Sequence, residues 1–130
     1  MALHVLVGDD AIGFRFVLQT ALENAGVERV TLCERWSDVS AAAAAEQPDA
    51  ILVDLLMPTL DLDQLARTRA GAPDAVLAVI SSYGRDEVVQ QVEDTAGVDL
   101  VFSKRERTSE IARQLIDAVT ERRAGRPPAG

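Results

Sequence analysis

The chain of 130 residues has room for one domain with a substantial core and too little for two of ordinary size. Hydrophobic residues at 48% and charged residues at 26% are the balance of a globular protein and exclude a disordered chain. A net charge of -8 argues against the chain itself gripping nucleic acid or an anionic membrane, because both need a basic surface.

The first strand-length run, "LHVLV" at 3 to 7, leads through Gly8 into two adjacent carboxylates, Asp9 and Asp10. His4, away from the carboxyl end of that run, reads as a structural or surface residue. A helical segment follows with Phe14, Val17, Leu18, Ala21, Leu22 and Ala25 on one face, and Gly26 stops it. The second run, "RVTLCE" at 29 to 34, holds the single cysteine, Cys33, which rules out an internal disulfide and reads as a packed thiol. Trp36 after it is suited either to packing against a helix or to a contact surface.

Ser37 or Asp38 is placed to cap the Ala-rich stretch 39 to 46, and Pro48 breaks the chain before the third run, "AILVD" at 50 to 54. Residues 62 to 70 predict a short helix ending at Gly71. The fourth run is "AVLAVIS" at 75 to 81. Asp86 and Glu87 then suit the first turn of a helix whose apolar face is Val88, Val89 and Val92, ending near Gly97. After the fifth run, "VDLVFS" at 98 to 103, a last helix from about Arg107 buries Ile111, Leu115, Ile116 and Val119. Residues 1–123 thus form the domain, and 124–130 ("AGRPPAG") are a flexible tail or the start of a linker. Arg122, Arg123 and Arg126 are expected to solvate this end. No apolar run approaches the roughly 20 residues that span a bilayer, and the N-terminus has no charged segment followed by an apolar one, so a cytoplasmic location is expected.

Regular β/α alternation implies a parallel sheet with helices on both faces, and in such open sheets ligands gather at the carboxyl ends of the strands where strand order reverses. Those ends carry Asp9, Asp10, Asp54, Ser81 and Ser82, with Lys104 just after the fifth. Neighbouring carboxylates repel unless a cation sits between them, and oxygen ligands of this kind suit Mg²⁺. A carboxylate such as Asp54 is able to accept a phosphoryl group, with Mg²⁺, Lys104 and the Ser81 hydroxyl neutralising charge. The lone Asp pair also suits plain capping of the first helix, and the serines suit ordinary loop hydrogen bonding.

"VLVGDD", "PDAILVDLLMP", "AVISSYG" and "LVFSKRE" stand in one order and at about one spacing over residues 3 to 122. On these motifs the chain resembles the receiver (CheY-like) domain of two-component response regulators. The resemblance implies an α/β, flavodoxin-like doubly wound (βα)5 fold with a parallel sheet of order 2-1-3-4-5. It implies Asp54 as phosphoacceptor, Mg²⁺ on Asp9, Asp10, Asp54 and the main-chain carbonyl of Leu56, and Ser81 and Lys104 as the phosphate-sensing pair. The implied partners are a sensor histidine kinase or phosphotransfer protein and a downstream effector or output domain. The implied output is a changed face on the fourth helix, fifth strand and last helix, which in this family also makes homodimers. Such a domain is a switch and not a conventional enzyme, although it takes part in its own phosphotransfer and dephosphorylation.

The chain departs from that pattern in places. Val101 stands three residues before Lys104, where an aromatic switch residue is usual, and Phe102 next to it is expected to point into the opposite layer. Arg105 replaces a common proline, and Leu62 replaces a common glycine, so the loop before the third helix must bend without positive φ. Leu56 and Tyr83 are bulky and do not orient water, which predicts slow autodephosphorylation; Ser82 and Tyr83 are switch-adjacent. Three other readings stay open: the receiver half of a DNA-binding regulator, a pseudo-receiver that binds partners without phosphorylation, and a small Mg²⁺-dependent phosphatase.

Overall fold

The computed structural model describes residues 2–82, Gln90, Val92 and 97–125. Five parallel strands, β1 (His4–Gly8), β2 (Arg29–Cys33), β3 (Ala50–Asp54), β4 (Val76–Ser81) and β5 (Leu100–Ser103), lie in the order 2-1-3-4-5. Four helices are described in full: α1 (Ile12–Asn24), α2 (Trp36–Glu46), α3 (Leu62–Gly71) and α4 (Thr108–Ala124). This is the expected flavodoxin-like doubly wound sheet. Of the helix predicted near residues 86 to 96, only Gln90 and Val92 are described, both helical; Asp86, Glu87, Val88 and Val89 lie outside the described residues. Gly97 takes φ 63°, a conformation that suits the predicted helix end.

Strand alternation divides the core between two layers. Leu6, Ile51, Val53, Leu77 and Val79 face α2, α3 and Val92. Val5, Val7, Leu52, Ala78, Ile80 and Phe102 face α1 and α4. Central β3 and β4 are buried along their whole length, while the edge strand β2 is buried only at Cys33. That gradient is why the inner runs read as unbroken apolar stretches and the edge did not.

α1 ends as Gly26 predicts. Gly26 takes φ 103°, its N–H donates to Glu23, and the Val27 N–H reaches back to Leu22, closing the turn with buried Val27 against the helix. Its predicted apolar face is only partly right. Leu18 and Leu22 are buried and Phe14 and Ala21 half-buried, but Val17 and Ala25 face solvent, since the sheet contacts a narrower stripe than the six positions span. α2 starts one residue before the predicted caps: Arg35 is the N-cap, buried Trp36 opens the helix, and Ser37 and Asp38 fall inside its first turn. Packing of the indole sets that start, and Asp38 instead complements the positive end of the helix. α3 is capped by Asp61, whose side chain accepts from the Gln64 N–H at 3.0 Å. Among the described residues Gln47 is the one non-glycine with positive φ, so the loop before α3 turns without it, as Leu62 requires. Ile116 on α4 is half-buried beside the buried Ile111, Leu115 and Val119.

At the base of the sheet the arginines do more than solvate a helix end. Arg122 donates to Asp99 at 2.7 Å and to the Ala75 carbonyl at 2.6 Å, and Arg123 pairs with Asp49. Arg69 joins Arg122 on Asp99 at 3.2 Å. These contacts fasten α4 to the loops entering β3, β4 and β5, a role that local composition does not reveal; Arg126 lies outside the described residues. His4 is structural, its Nε2 sharing a hydrogen bond with the Thr31 hydroxyl at 2.8 Å and lying 3.3 Å from Glu46. Burial pushes the Cys33 thiol up to about 11, which leaves it protonated and inert near neutrality. Among the described residues no helix is long and apolar enough to cross a membrane.

Candidate phosphoacceptor site

The β1/β3 boundary is the point where strand order reverses, and the acidic residues meet there. Asp9 leaves the end of β1 wholly buried, with its N–H donating to the Cys33 carbonyl at 3.0 Å. One Asp9 oxygen, Oδ1, accepts the Ala11 N–H at 2.8 Å and turns the chain into α1. This bond shapes the turn into α1 but is not a helix cap: the N-cap is Ala11, and no side chain caps the helix. Its other oxygen, Oδ2, is buried with no aligned hydrogen bond among the described residues, and the Lys104 ammonium lies 3.0 Å away as an ion pair. Asp10 is exposed at the mouth, and carboxylate oxygens of Asp9, Asp10 and Asp54 lie within 4.8 Å of one another.

Asp54 closes β3, all but buried. Its Oδ1 accepts the Leu56 N–H at 3.0 Å, and its Oδ2 accepts from Lys104 Nζ at 2.9 Å. Burial pushes the Asp54 carboxyl above its ordinary value, and the Lys104 and Leu56 hydrogen bonds only partly offset this, with the Asp9 charge adding to the rise. For Lys104, burial pulls the ammonium down, but its hydrogen bond to Asp54 and the charge of Asp9 beside it outweigh that and hold it above the ordinary lysine value. Lys104 is aimed by its backbone, whose N–H donates to the Ser81 carbonyl at 2.8 Å. Ser81 is buried at the end of β4, whereas Ser82 is exposed, so of the two only Ser81 is enclosed in the sheet. Tyr83 lies outside the described residues.

The donor set fits a hard divalent cation. A buried carboxylate oxygen without an aligned donor, an exposed second carboxylate and Asp54 present oxygens at ligand spacing, which matches Mg²⁺ with water completing its shell.

Gly8 keeps this arrangement possible. A Cβ there would lie 2.6 Å from Val39 Cγ2 and 3.3 Å from Met57 Cε, inside the layer under the pocket. Gly8→Ala is expected to destabilise the fold by about 1–3 kcal/mol in urea unfolding. Adding Val39→Ala should recover part of the loss, and strictly additive effects would show that the clash is relieved elsewhere.

Residues 101 and 102 divide as the strand period requires. Val101 is half-buried on the α2/α3 layer, and Phe102 is buried on the α1/α4 layer. Trp36 donates its indole N–H to the Thr59 carbonyl at 3.3 Å, tethering the loop after Asp54. Two neighbours of the site escaped the sequence reading. The Phe14 ring lies under Lys104, with Nζ 4.6 Å from the ring centroid, and Arg15 donates to the Asp9 carbonyl at 2.8 Å. The available signal was their place in the first helical turn after the Asp pair, at the pocket's rim.

Comparison with known proteins matches residues 5–116 to the family described as "Response regulator receiver domain". The chain belongs to this family. No curated protein matches it. Among solved structures, the CheY-like receiver domain protein of Methanospirillum hungatei superposes with a TM-score of 0.84 at 17% identity, covering 95% of this chain and 98% of that one. The signal receiver domain of NarL from Mycobacterium tuberculosis is 26% identical, with a TM-score of 0.81 over 96% of this chain and 98% of that one. A response regulator of Burkholderia pseudomallei, solved with a phosphorylated aspartic acid, a calcium ion and citrate, is 26% identical, with a TM-score of 0.77 over 94% of this chain and 71% of that one. This receiver is thus a signalling domain of the two-component type.

Proposed function

We propose that the receiver accepts a phosphoryl group on Asp54 from a phosphohistidine of a sensor kinase or phosphotransfer protein, and that this shifts a partner-binding face. The observation that carries the reading is one lysine bridging two buried carboxylates, at 2.9 Å from Asp54 and 3.0 Å from Asp9. The phosphorylated aspartic acid and cation of the similar Burkholderia pseudomallei protein support it. Asp9, Asp10, Asp54 and the Leu56 carbonyl would hold Mg²⁺, which when bound supplies charge neutralisation for the phosphoryl oxygens.

The chain's own residues do the rest. An Asp54 oxygen forms a P–O bond as the P–N bond of the phosphohistidine breaks, and the imidazole leaves with the electron pair and takes up a proton. Lys104 meets the charge on the transferring group, and Ser81 supplies a hydroxyl at the end of β4. On α1, Ile12 is 63% exposed, Phe16 54% and Val17 49%, an apolar surface starting two residues after Asp10. Its position beside the pocket mouth suits docking of the phosphodonor protein. Residues 1–123 are the receiver in this reading, 124–130 a tail or linker, and the location is cytoplasmic.

The test is the intact mass of the protein after incubation with acetyl phosphate and Mg²⁺. One phosphoryl group is expected, absent in EDTA and mapped to Asp54 by borohydride reduction. No gain in a protein that Mg²⁺ measurably stabilises would instead support a pseudo-receiver.

A further inference from the structure

We propose that Phe14 is a positioning residue for phosphoryl transfer, its ring face holding the Lys104 ammonium in the pocket while the two carboxylate partners are altered. The role rests on the phosphoacceptor reading above. Among the described residues Lys104 Nζ has three close partners: Asp54 Oδ2 at 2.9 Å, Asp9 Oδ2 at 3.0 Å and the Phe14 ring, whose centroid is 4.6 Å away.

The reaction changes two of these. Asp54 becomes an acyl phosphate and gives up its carboxylate charge, and a bound Mg²⁺ would compete with Lys104 for Asp9 Oδ2. The ring is the partner that neither step consumes. Its π-face presents negative potential to an ammonium, and the half-buried setting limits competition from water. A lysine stem is flexible, so a third fixed contact narrows where the charge sits when the phosphoryl group arrives. The placement is built in. The Asp9 side chain turns the backbone at Ala11, and α1 begins at Ile12, which puts Phe14 in the first turn under the lysine. From the other side, the Ser81 carbonyl fixes the Lys104 backbone. A leucine at 14 would fill much of the same space with no negative face.

The experiment compares the full chain with Phe14→Leu, Phe14→Met and Phe14→Tyr. It measures the acetyl phosphate reaction rate at saturating Mg²⁺, Mg²⁺ affinity, unfolding midpoint and the NMR shifts of the Lys104 ε-methylene protons. Leu and Met should slow phosphorylation by about three- to tenfold, leave Mg²⁺ affinity unchanged and move the ε-methylene signals downfield as the ring current is lost, with Tyr restoring both. The methionine variant carries the same expectation should leucine fail to fold. Unchanged rates in Leu and Met overturn the role, as does a rate loss that follows the unfolding midpoint and is shared by Tyr. A wild-type protein showing the ring-current shift but taking no phosphoryl group overturns the phosphoacceptor reading, and the role with it; a wild type that is phosphorylated without that shift overturns the role alone.

Discussion

Asp54→Asn is expected to make the metal-free domain harder to unfold while abolishing phosphoryl uptake. Burial raises the Asp54 carboxyl above its ordinary value in the fold, more than Lys104 and Leu56 lower it. A raised carboxyl contributes stability that is full below the ordinary value of 3.8 and is lost as pH rises through the folded value. At neutral pH that contribution is gone, and a neutral side chain of the same shape recovers it. Asparagine can still accept the Leu56 N–H; its NH₂ cannot accept from Lys104, which gives up that bond and keeps Asp9 at 3.0 Å. Mg²⁺ should act in the opposite sense. At a hundredfold excess over its dissociation constant a cation bound only by the folded state stabilises the wild type by about 2.7 kcal/mol, and the variant, one ligand short, gains less. Urea unfolding of both proteins in EDTA and in Mg²⁺ checks the pair of effects. A variant less stable in EDTA would mean that the Lys104 pair outweighs the burial of charge. Equal gains from Mg²⁺ would remove Asp54 from the ligand set.

The same acidic pocket shows what a sequence makes legible. Asp9, Asp10, Asp54, Ser81 and Lys104 could be assembled without coordinates, because β/α alternation dictates a parallel sheet and a parallel sheet collects its polar residues at one edge. Phe102 could be turned away from the site because strand side chains alternate strictly. The misses have the opposite character. Val17 shares a helical face with Leu18 and Leu22 by spacing, but which part of that face meets the sheet depends on how α1 is rotated against it. Arg122 and Arg123 look like ordinary C-terminal helix charges until the fold carries Asp99 and Asp49 to them, the latter from 74 residues away. Phe14 reads as core because its partner, Lys104, is contributed by a distant strand end. Periodicity yields elements and edges; side-chain partnerships across those elements come only from packing.

Phe102→Ala is expected to cost about 3–5 kcal/mol, a large share of the roughly 5–15 kcal/mol that holds a domain of this kind folded. Phe102 is 1% exposed and is among the largest fully buried side chains of the α1/α4 layer, where Leu18, Leu22, Ile111 and Leu115 close around that side of the sheet. These residues stand on two helices and a strand and cannot all collapse into the space left, so the cavity persists. The loss should appear as a lower urea midpoint with little change in slope. Phosphoryl uptake, measured where the variant remains folded, should be retained, since Phe102 lies in the apolar layer under α1 and α4, opposite Val101. Uptake that falls out of proportion to the folded fraction would show instead that Phe102 acts on the site, and that this receiver has moved its aromatic switch by one residue. The adjacent Val101→Ala supplies the contrast: half-buried and small, it should lose far less stability, so a similar loss at both positions would contradict the layer assignment.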